Sequence, residues 1–413
     1  MKKKLVLTAF LVIFLIISVC IFYHRPLQSA KIMITSDIHY LSDKLHDDDL
    51  AYQYMLDNSD GRLTQYCDVI LSAFIEEVLQ QKPDVLIISG DLSFNGEKLS
   101  HQDLAAKLHV LYENNIPVLV LAGNHDINST RAASFFENRY DVAENINQQE
   151  FVSIYNDYGF LQAESRDSSS LSYMYKVNDD LYIIMIDSNG YGQNYLQQES
   201  YNWLEQQLEY VKKQNAKAIT VTHQNIYAQN ELLVFGYQLY DGDKLKDLLT
   251  KYKVTLNLSG HVHMQHYIKD KLTEIASSSL LMPPLQYGIL EFDGGYDYYT
   301  KQIDFNSYCD NHDIDDDTIR NLNLYAKDYF INHSYKRGLL RLEEIGCDQA
   351  TKELIANVFA QYNYYYFSGE PFDYHEYEND AQIAKELAGY VGKYIEIITN
   401  ESEIDFTKLK IKR

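Results

Sequence analysis

Val85-Leu86-Ile87-Ile88-Ser89-Gly90-Asp91-Leu92-Ser93-Phe94-Asn95-Gly96-Glu97 is the stretch that decides how this chain folds. Pro83 precedes four consecutive large apolar residues, the pattern of a strand covered on both faces. Strands of that kind belong to sheets with parallel neighbours. The polar turn Gly90-Asp91 then falls at the carboxyl edge of the sheet, where ligands gather. Two other runs repeat the arrangement. Residues 31–36 lead into Asp37-Ile38-His39, and residues 117–121 lead into Gly123-Asn124-His125-Asp126. Between them, residues 68–80 place Val69, Ile70, Ala73, Phe74 and Val78 at helical spacing, and residues 104–113 read as a second helix. The first third of the chain therefore predicts a βαβαβ series.

The alternation continues. Residues 171–177, 181–186, 217–222 and 254–258 read as strands, and 199–213 (Trp203, Leu204, Leu208 and Val211 on one face) and 243–251 as helices. Strands dominate again over 274–305. Two sets of buried strands with helices between them predict an α/β fold of four layers, an αββα sandwich of two packed mixed sheets flanked by helices. Residues 41–62 are polar and acidic, with Asp47-Asp48-Asp49 and Asn58-Ser59-Asp60-Gly61, and read as a long loop. From about residue 306 the branched apolar runs stop, and helical segments follow at 316–340, 348–359 and 381–398. The expected organisation is an N-terminal anchor or signal segment with its linker over 1–30, the α/β domain over 31–305, and a small helical C-terminal domain over 306–413. The Tyr-rich stretch 362–377 has two readings, a stacking surface for sugar or cell-wall polymer, or ordinary packing in a helical layer.

At 413 residues the chain can bury a large core without disulfides. Beyond the first apolar segment only Cys67, Cys309 and Cys347 remain, an odd number at wide spacings that argues against a disulfide framework. The net charge of −23 argues against a nucleic-acid polymer as partner, because nothing would drive counterion release. A small phosphate-ester substrate stays compatible with that charge, since bound divalent ions would dominate the local field. Lys2, Lys3 and Lys4 precede an uncharged run over 5–23, which as a helix would span roughly 28 Å, close to a bilayer core. The basic flank predicts a transmembrane anchor in the cell membrane with the rest of the chain outside. A cleaved signal peptide, giving a secreted protein, is the competing reading, and no good small-x-small cleavage site precedes Lys31. The sequence carries no signature of an oligomeric state.

Asp37, His39, Asp91, Asn124, His223, His261 and His263 each stand at or just past the end of a predicted strand. Imidazole and carboxylate donors together suit Mn, Fe or Zn. A set this large can hold two divalent metal ions, which in such sites sit about 3.5–4 Å apart and share a carboxylate. Asp91 alone falls between the two ligand groups along the chain and is the natural bridge. His125, directly after Asn124, is expected to project into the site as proton donor or transition-state stabiliser, with Asp126 orienting it. A structural hydrogen-bonded turn is the plainer reading of that pair. His101 reads as a pocket residue or a capping residue. His46, beside three aspartates, reads as part of a solvated loop, a lid or an extra cation site.

Asp37-Ile38-His39, Gly90-Asp91, Gly123-Asn124-His125-Asp126, His223 and Gly260-His261-Val262-His263 together resemble the calcineurin-like metallophosphoesterase family over about residues 31–300. The segment from Gly90 to Glu97 is similar to the branch containing bacterial class III cyclic-nucleotide phosphodiesterases, as is the helical tail. The resemblance implies that Asp37, His39, Asp91 and His263 hold a first metal and Asp91, Asn124, His223 and His261 a second. It also implies in-line attack on phosphorus by a hydroxide bridging the two. Many relatives carry a second His after the position of His223. Gln224 stands there in this chain, so any outer-sphere role of that residue is lost. Three functions follow as candidates: hydrolysis of a small nucleotide-like phosphodiester, cyclic nucleotides among them; an extracellular phosphomonoesterase or nucleotidase; and a non-catalytic cell-surface binding protein. The third predicts degraded ligands, and none is degraded.

Overall fold

The computed structural model describes residues 26–189 and 194–412. The expected membrane segment at 5–23 lies outside the described residues. Among those described, no helix is long and apolar enough to cross a membrane.

Three parallel strands open the chain: β1 (Ala30–Thr35), β2 (Val85–Ile88) and β3 (Val118–Val120). Val85, Leu86, Ile87 and Ile88 are fully buried, each contributing about 2 kcal/mol by leaving water. A short hairpin follows, β4 (Ala133–Phe136) and β5 (Arg139–Val142). Next come β6 (Ser165–Arg166), β7 (Tyr173–Lys176), β8 (Leu181–Met185), β9 (Lys217–Val221), β10 (Leu256–Ser259), β11 (His266–Ile268) and β12 (Thr273–Ala276). These seven make one sheet in the order β11-β12-β10-β9-β8-β7-β6, parallel from β8 through β12. The chain then returns to the first sheet with β13 (Gln286–Phe292) and β14 (Tyr296–Gln302), and later with β15 (Lys408–Ile411), giving β15-β14-β13-β1-β2-β3.

Period-two burial sorts the layers. In β8, Leu181, Ile183 and Met185 enter the core shared with Ile32, Ile34 and Ile87 of the first sheet. Tyr182 and Ile184 point the other way and pack with Leu204, Leu208, Leu245 and Leu249 of the helices Gln198–Lys213 and Gly242–Lys251. The helices Cys67–Gln81 and Lys98–Glu113 bury Ile70, Phe74, Leu104 and Leu108 in the same continuous core as the first sheet.

Several elements depart from the expectations. Residues 41–62 are not one loop: they hold a single 3-10 turn, Asp43–Leu45, and a helix, Leu50–Asp57. The acids serve as caps and ties. Asp49 accepts from the Leu50 amide at 2.8 Å, and Asp47 accepts from the Glu137 amide at 2.9 Å. Tyr52 and Leu56 of this helix pack with Phe94, Ala133 and Phe135, so helix and hairpin form one small cluster beside the main core. The segment expected over 381–398 breaks at Ala388 into Glu378–Leu387 and Gly389–Glu401. Tyr362, Tyr364 and Tyr366 are buried, which favours packing for that part of the Tyr-rich stretch.

Candidate metal centre

The polar residues after β1, β2, β3, β9 and β10 meet where the carboxyl ends of the two sheets face one another. Asp37, His39, Asp91 and His263 form one group of converging donor atoms, and Asp91, His223 and His261 a second; within each group these atoms lie within 4.8 Å of one another. Asp91 belongs to both. Its Oδ2 lies 3.6 Å from His39 Nε2 and 3.4 Å from His223 Nε2. Its Oδ1 accepts the His125 amide at 2.8 Å. Asn124 joins the second group, with Oδ1 3.0 Å from His223 Nε2.

The local backbone is unusual. Asp37, His39, Asp91, His261 and His263 all have positive φ, between 43° and 70°. Each such non-glycine residue costs about 1 kcal/mol or more, and that strain concentrates at functional sites. These five residues lie in the turns after β1, β2 and β10. Neighbouring glycines make the room. A Cβ on Gly123 would collide with the Asp91 carboxylate, and one on Gly90, at φ 107°, would enter the His223 ring.

Second nitrogens fix the imidazoles. His223 Nδ1–H donates to the Ser89 carbonyl at 2.9 Å, so Nε2 faces the cluster. His261 Nε2–H donates to the Gly236 carbonyl at 2.7 Å, leaving Nδ1 as its free donor atom. His263 Nδ1–H donates to Asp60 Oδ2 at 3.1 Å, and its Nε2 lies 3.3 Å from Asp37 Oδ1 and 3.1 Å from His39 Nε2. Asp60 in turn binds Arg62 Nε at 2.8 Å.

The donor set fits divalent cations. Asp37 and Asp91 are essentially fully buried, and among the described residues Asp37 Oδ1 has no hydrogen-bond partner of good geometry while it faces His263, His223, His39 and Asp91. Burial alone would raise the Asp91 pKa; His223, His125 and His39 instead hold it well below the ordinary carboxylate value. Against burial, Asp37 and Asp60 push His263 up to about 9, and Asp91 and Asp37 push His223 up to about 9. Burial and the His223 charge push His261 down to about 4. Buried carboxylates that draw protons onto facing imidazoles are a site that calls for positive charge, which metal ions supply when they replace those protons.

His125 borders the cluster. Its Nδ1–H is shared between the Phe94 carbonyl at 3.1 Å and Asn95 Oδ1 at 2.8 Å, and its Nε2 lies 3.9 Å from Asp91 Oδ2. The expectation that Asp126 orients His125 is not met. The Asp126 carboxylate accepts from the amides of Leu92, Ser93 and Gly123 and from the Ser93 hydroxyl, at 2.8–3.1 Å. It ties the turn after β2 to the turn after β3, and orientation of the ring falls to Asn95. His101 is buried and serves the same turn, with Nε2 3.0 Å from the Asp126 carbonyl and Nδ1 2.9 Å from the Tyr155 hydroxyl. His46 stacks on Tyr52 at 3.9 Å between ring centres.

Sequence reasoning missed Asp60, Arg62 and Asn95. It also missed the tail: a cavity of about 270 Å³ on the His261–His263 side is walled partly by Arg337, Arg341 and Tyr390.

The family profile of calcineurin-like phosphoesterases matches residues 30–265, more than half of the chain, and the protein belongs to that family. Its members are hydrolases of phosphate esters that use divalent metals. Among curated proteins, a "Probable cyclic nucleotide phosphodiesterase" of Ruthia magnifica subsp. Calyptogena magnifica is 32% identical over 85 residues, a match covering 21% of this chain and 35% of that relative. Among solved structures, a dimetal phosphatase from Danio rerio aligns with TM-score 0.48 at 10% identity, covering 67% of this chain and 96% of that one. A purple acid phosphatase from yellow lupin seeds aligns with TM-score 0.46 at 16% identity, covering 67% and 52%.

Proposed function

We propose that the protein hydrolyses a small, nucleotide-like phosphodiester at a two-metal centre. Asp37, His39, Asp91 and His263 hold one ion, and Asp91, Asn124, His223 and His261 the other. The observation that carries this reading is the position of Asp91 Oδ2, within 3.6 Å of a ring nitrogen from each group, as a shared ligand requires. The relative named as a cyclic nucleotide phosphodiesterase supports a diester substrate.

Two divalent ions bound here would supply an activated water and neutralise charge on the phosphoryl oxygens. The chain's own groups do the rest. Asp91 and Asp37 fix the donor geometry, and the strained turns after β1, β2 and β10 keep it rigid before substrate arrives. His125 has committed Nδ1–H to two oxygens, so it gives a proton to the leaving oxygen from Nε2, as imidazolium. Mn, Fe and Zn all suit these donors. On the order of lysines and apolar residues at the N-terminus alone, we place the catalytic region outside the cell membrane; protease accessibility on intact cells tests that placement.

The deciding experiment loads the purified protein with Mn²⁺ and compares bis-p-nitrophenyl phosphate, p-nitrophenyl phosphate and cyclic AMP, with Asp91→Ala as the blank. Faster diester cleavage is expected. Faster monoester cleavage would move the assignment to a phosphatase or nucleotidase. Well under one metal ion per chain after reconstitution would point to a non-catalytic binding protein.

A further inference from the structure

An apolar cleft of about 630 Å³ lies beside the turn after β2. Its walls come from the helix Leu50–Asp57 (Tyr54, Met55), the β4–β5 hairpin (Phe135, Tyr140), and Phe94 and Asn95 from the turn after β2. Phe94 and Asn95 are also the residues whose oxygens hold the His125 ring. The cleft therefore borders the Nδ1 side of the His125 ring.

Arg62 stands at the boundary between cleft and metal centre. Its Nε is fixed by Asp60, the partner of His263, and its guanidinium lies 5.7 Å from the centre of the Phe94 ring. Arg62 Nη1 is buried and has no acceptor among the described residues. A buried N–H donor left without a partner is costly, and Nη1 marks a place for an acceptor that the described residues do not provide.

We propose that Arg62 and this cleft form the leaving-group subsite: Nη1 of Arg62 donates to an oxygen on the phosphoryl or leaving group, and the cleft receives a bulky, planar aromatic leaving group between Tyr54, Phe135 and Tyr140. The inference rests on the phosphodiesterase reading and adds the residues that select the substrate. The walls are aromatic on both sides, so a flat ring gains stacking area that a small polyol does not. The volume falls within the usual range for small-molecule sites.

The test uses the Mn²⁺-loaded protein and the methyl phosphodiesters of phenol and 2-naphthol, leaving groups of similar acidity and different size. The kcat/KM for the naphthyl ester is expected to exceed that for the phenyl ester by about tenfold, the scale at which apolar pockets discriminate. Tyr54→Ser and Tyr140→Ser, at the exposed rim, should bring that ratio close to one, chiefly through KM. Arg62→Gln should lower kcat/KM about 100-fold on both esters, with metal content by elemental analysis unchanged, and Arg62→Lys should recover part of it. A wild-type ratio near one, or a ratio that the rim variants leave intact, overturns the cleft. An Arg62→Gln protein that is fully active, or that loses metal in step with activity, overturns the contact to substrate. A metal-loaded protein that hydrolyses neither ester overturns the functional reading and this inference together, whereas hydrolysis without size preference overturns the cleft alone.

Discussion

An imidazole offers a lone pair to a cation in a fixed direction only if its other nitrogen is anchored. His223, His261 and His263 each have such an anchor, but only that of His263 is a side chain, Asp60. Asp60→Asn should weaken divalent-metal affinity about 10- to 100-fold, read by Mn²⁺ titration, while the protein stays folded. His125 and Asp126 should part company despite being neighbours. His125→Ala should keep the metals and lose about 100-fold in rate, more on poor leaving groups than on good ones; equal losses on both would count against proton donation. Asp126→Ala removes the acceptor of three amides and a hydroxyl, so it should cost about 3 kcal/mol or more in denaturant unfolding, whereas His125→Ala should cost little. The seven candidate ligands were legible because each closes an apolar run. Asp60 was not: it sits in an acid-rich segment and meets His263 across 203 positions, and no local pattern records such a contact. Asp126 was misread because adjacency in sequence says nothing about where a side chain points after a tight turn.

Elements carry the next level of constraint, and Glu97 is the clearest case. It precedes the helix Lys98–Glu113, and its carboxylate accepts from the amides of Asn95 at 2.8 Å and Ala133 at 3.3 Å, tying that helix start to β4. Burial pushes its pKa up from 4.5 to about 7. Because the folded value is the higher one, the stabilising contribution is complete below about pH 4.5 and is lost as pH rises through about 7. Wild-type stability relative to Glu97→Gln should therefore fall over that window, by up to about 3 kcal/mol, in thermal melts at stepped pH. Strands β1, β2 and β3 could be read from composition because both their faces are covered. The helix Leu50–Asp57 could not, since Asp47, Asp48 and Asp49 resemble a solvated loop until Asp49 is seen capping Leu50. The β4–β5 hairpin and β15 escaped for a related reason. All four residues of β5 are exposed, and Lys408-Leu409-Lys410-Ile411 is too short for alternation to stand out.

Across the whole molecule, the two buried carboxylates make metal ions part of the fold as well as of the site. Saturating Mn²⁺ should raise the melting temperature, with about 2.7 kcal/mol gained at a hundredfold excess over Kd, and Asp91→Ala should abolish the shift. The α/β architecture was visible from alternation, but the return of the chain to its first sheet was not. β13 pairs antiparallel with β1, Ala30 opposite Phe292, and the Ser279 hydroxyl donates to the Asp37 carbonyl at 2.7 Å. That closure sets an order of events during biosynthesis. All seven candidate ligands have left the ribosome once His263 has emerged, yet Asp37 and His39 then hang from a strand with one open edge. A chain arrested before Gln286 should capture no metal, and adding the residues through Phe292 should confer binding. On that expectation the nascent protein meets the metals around it as a set of scattered donors, and gains its appetite for cations only after most of it has been made.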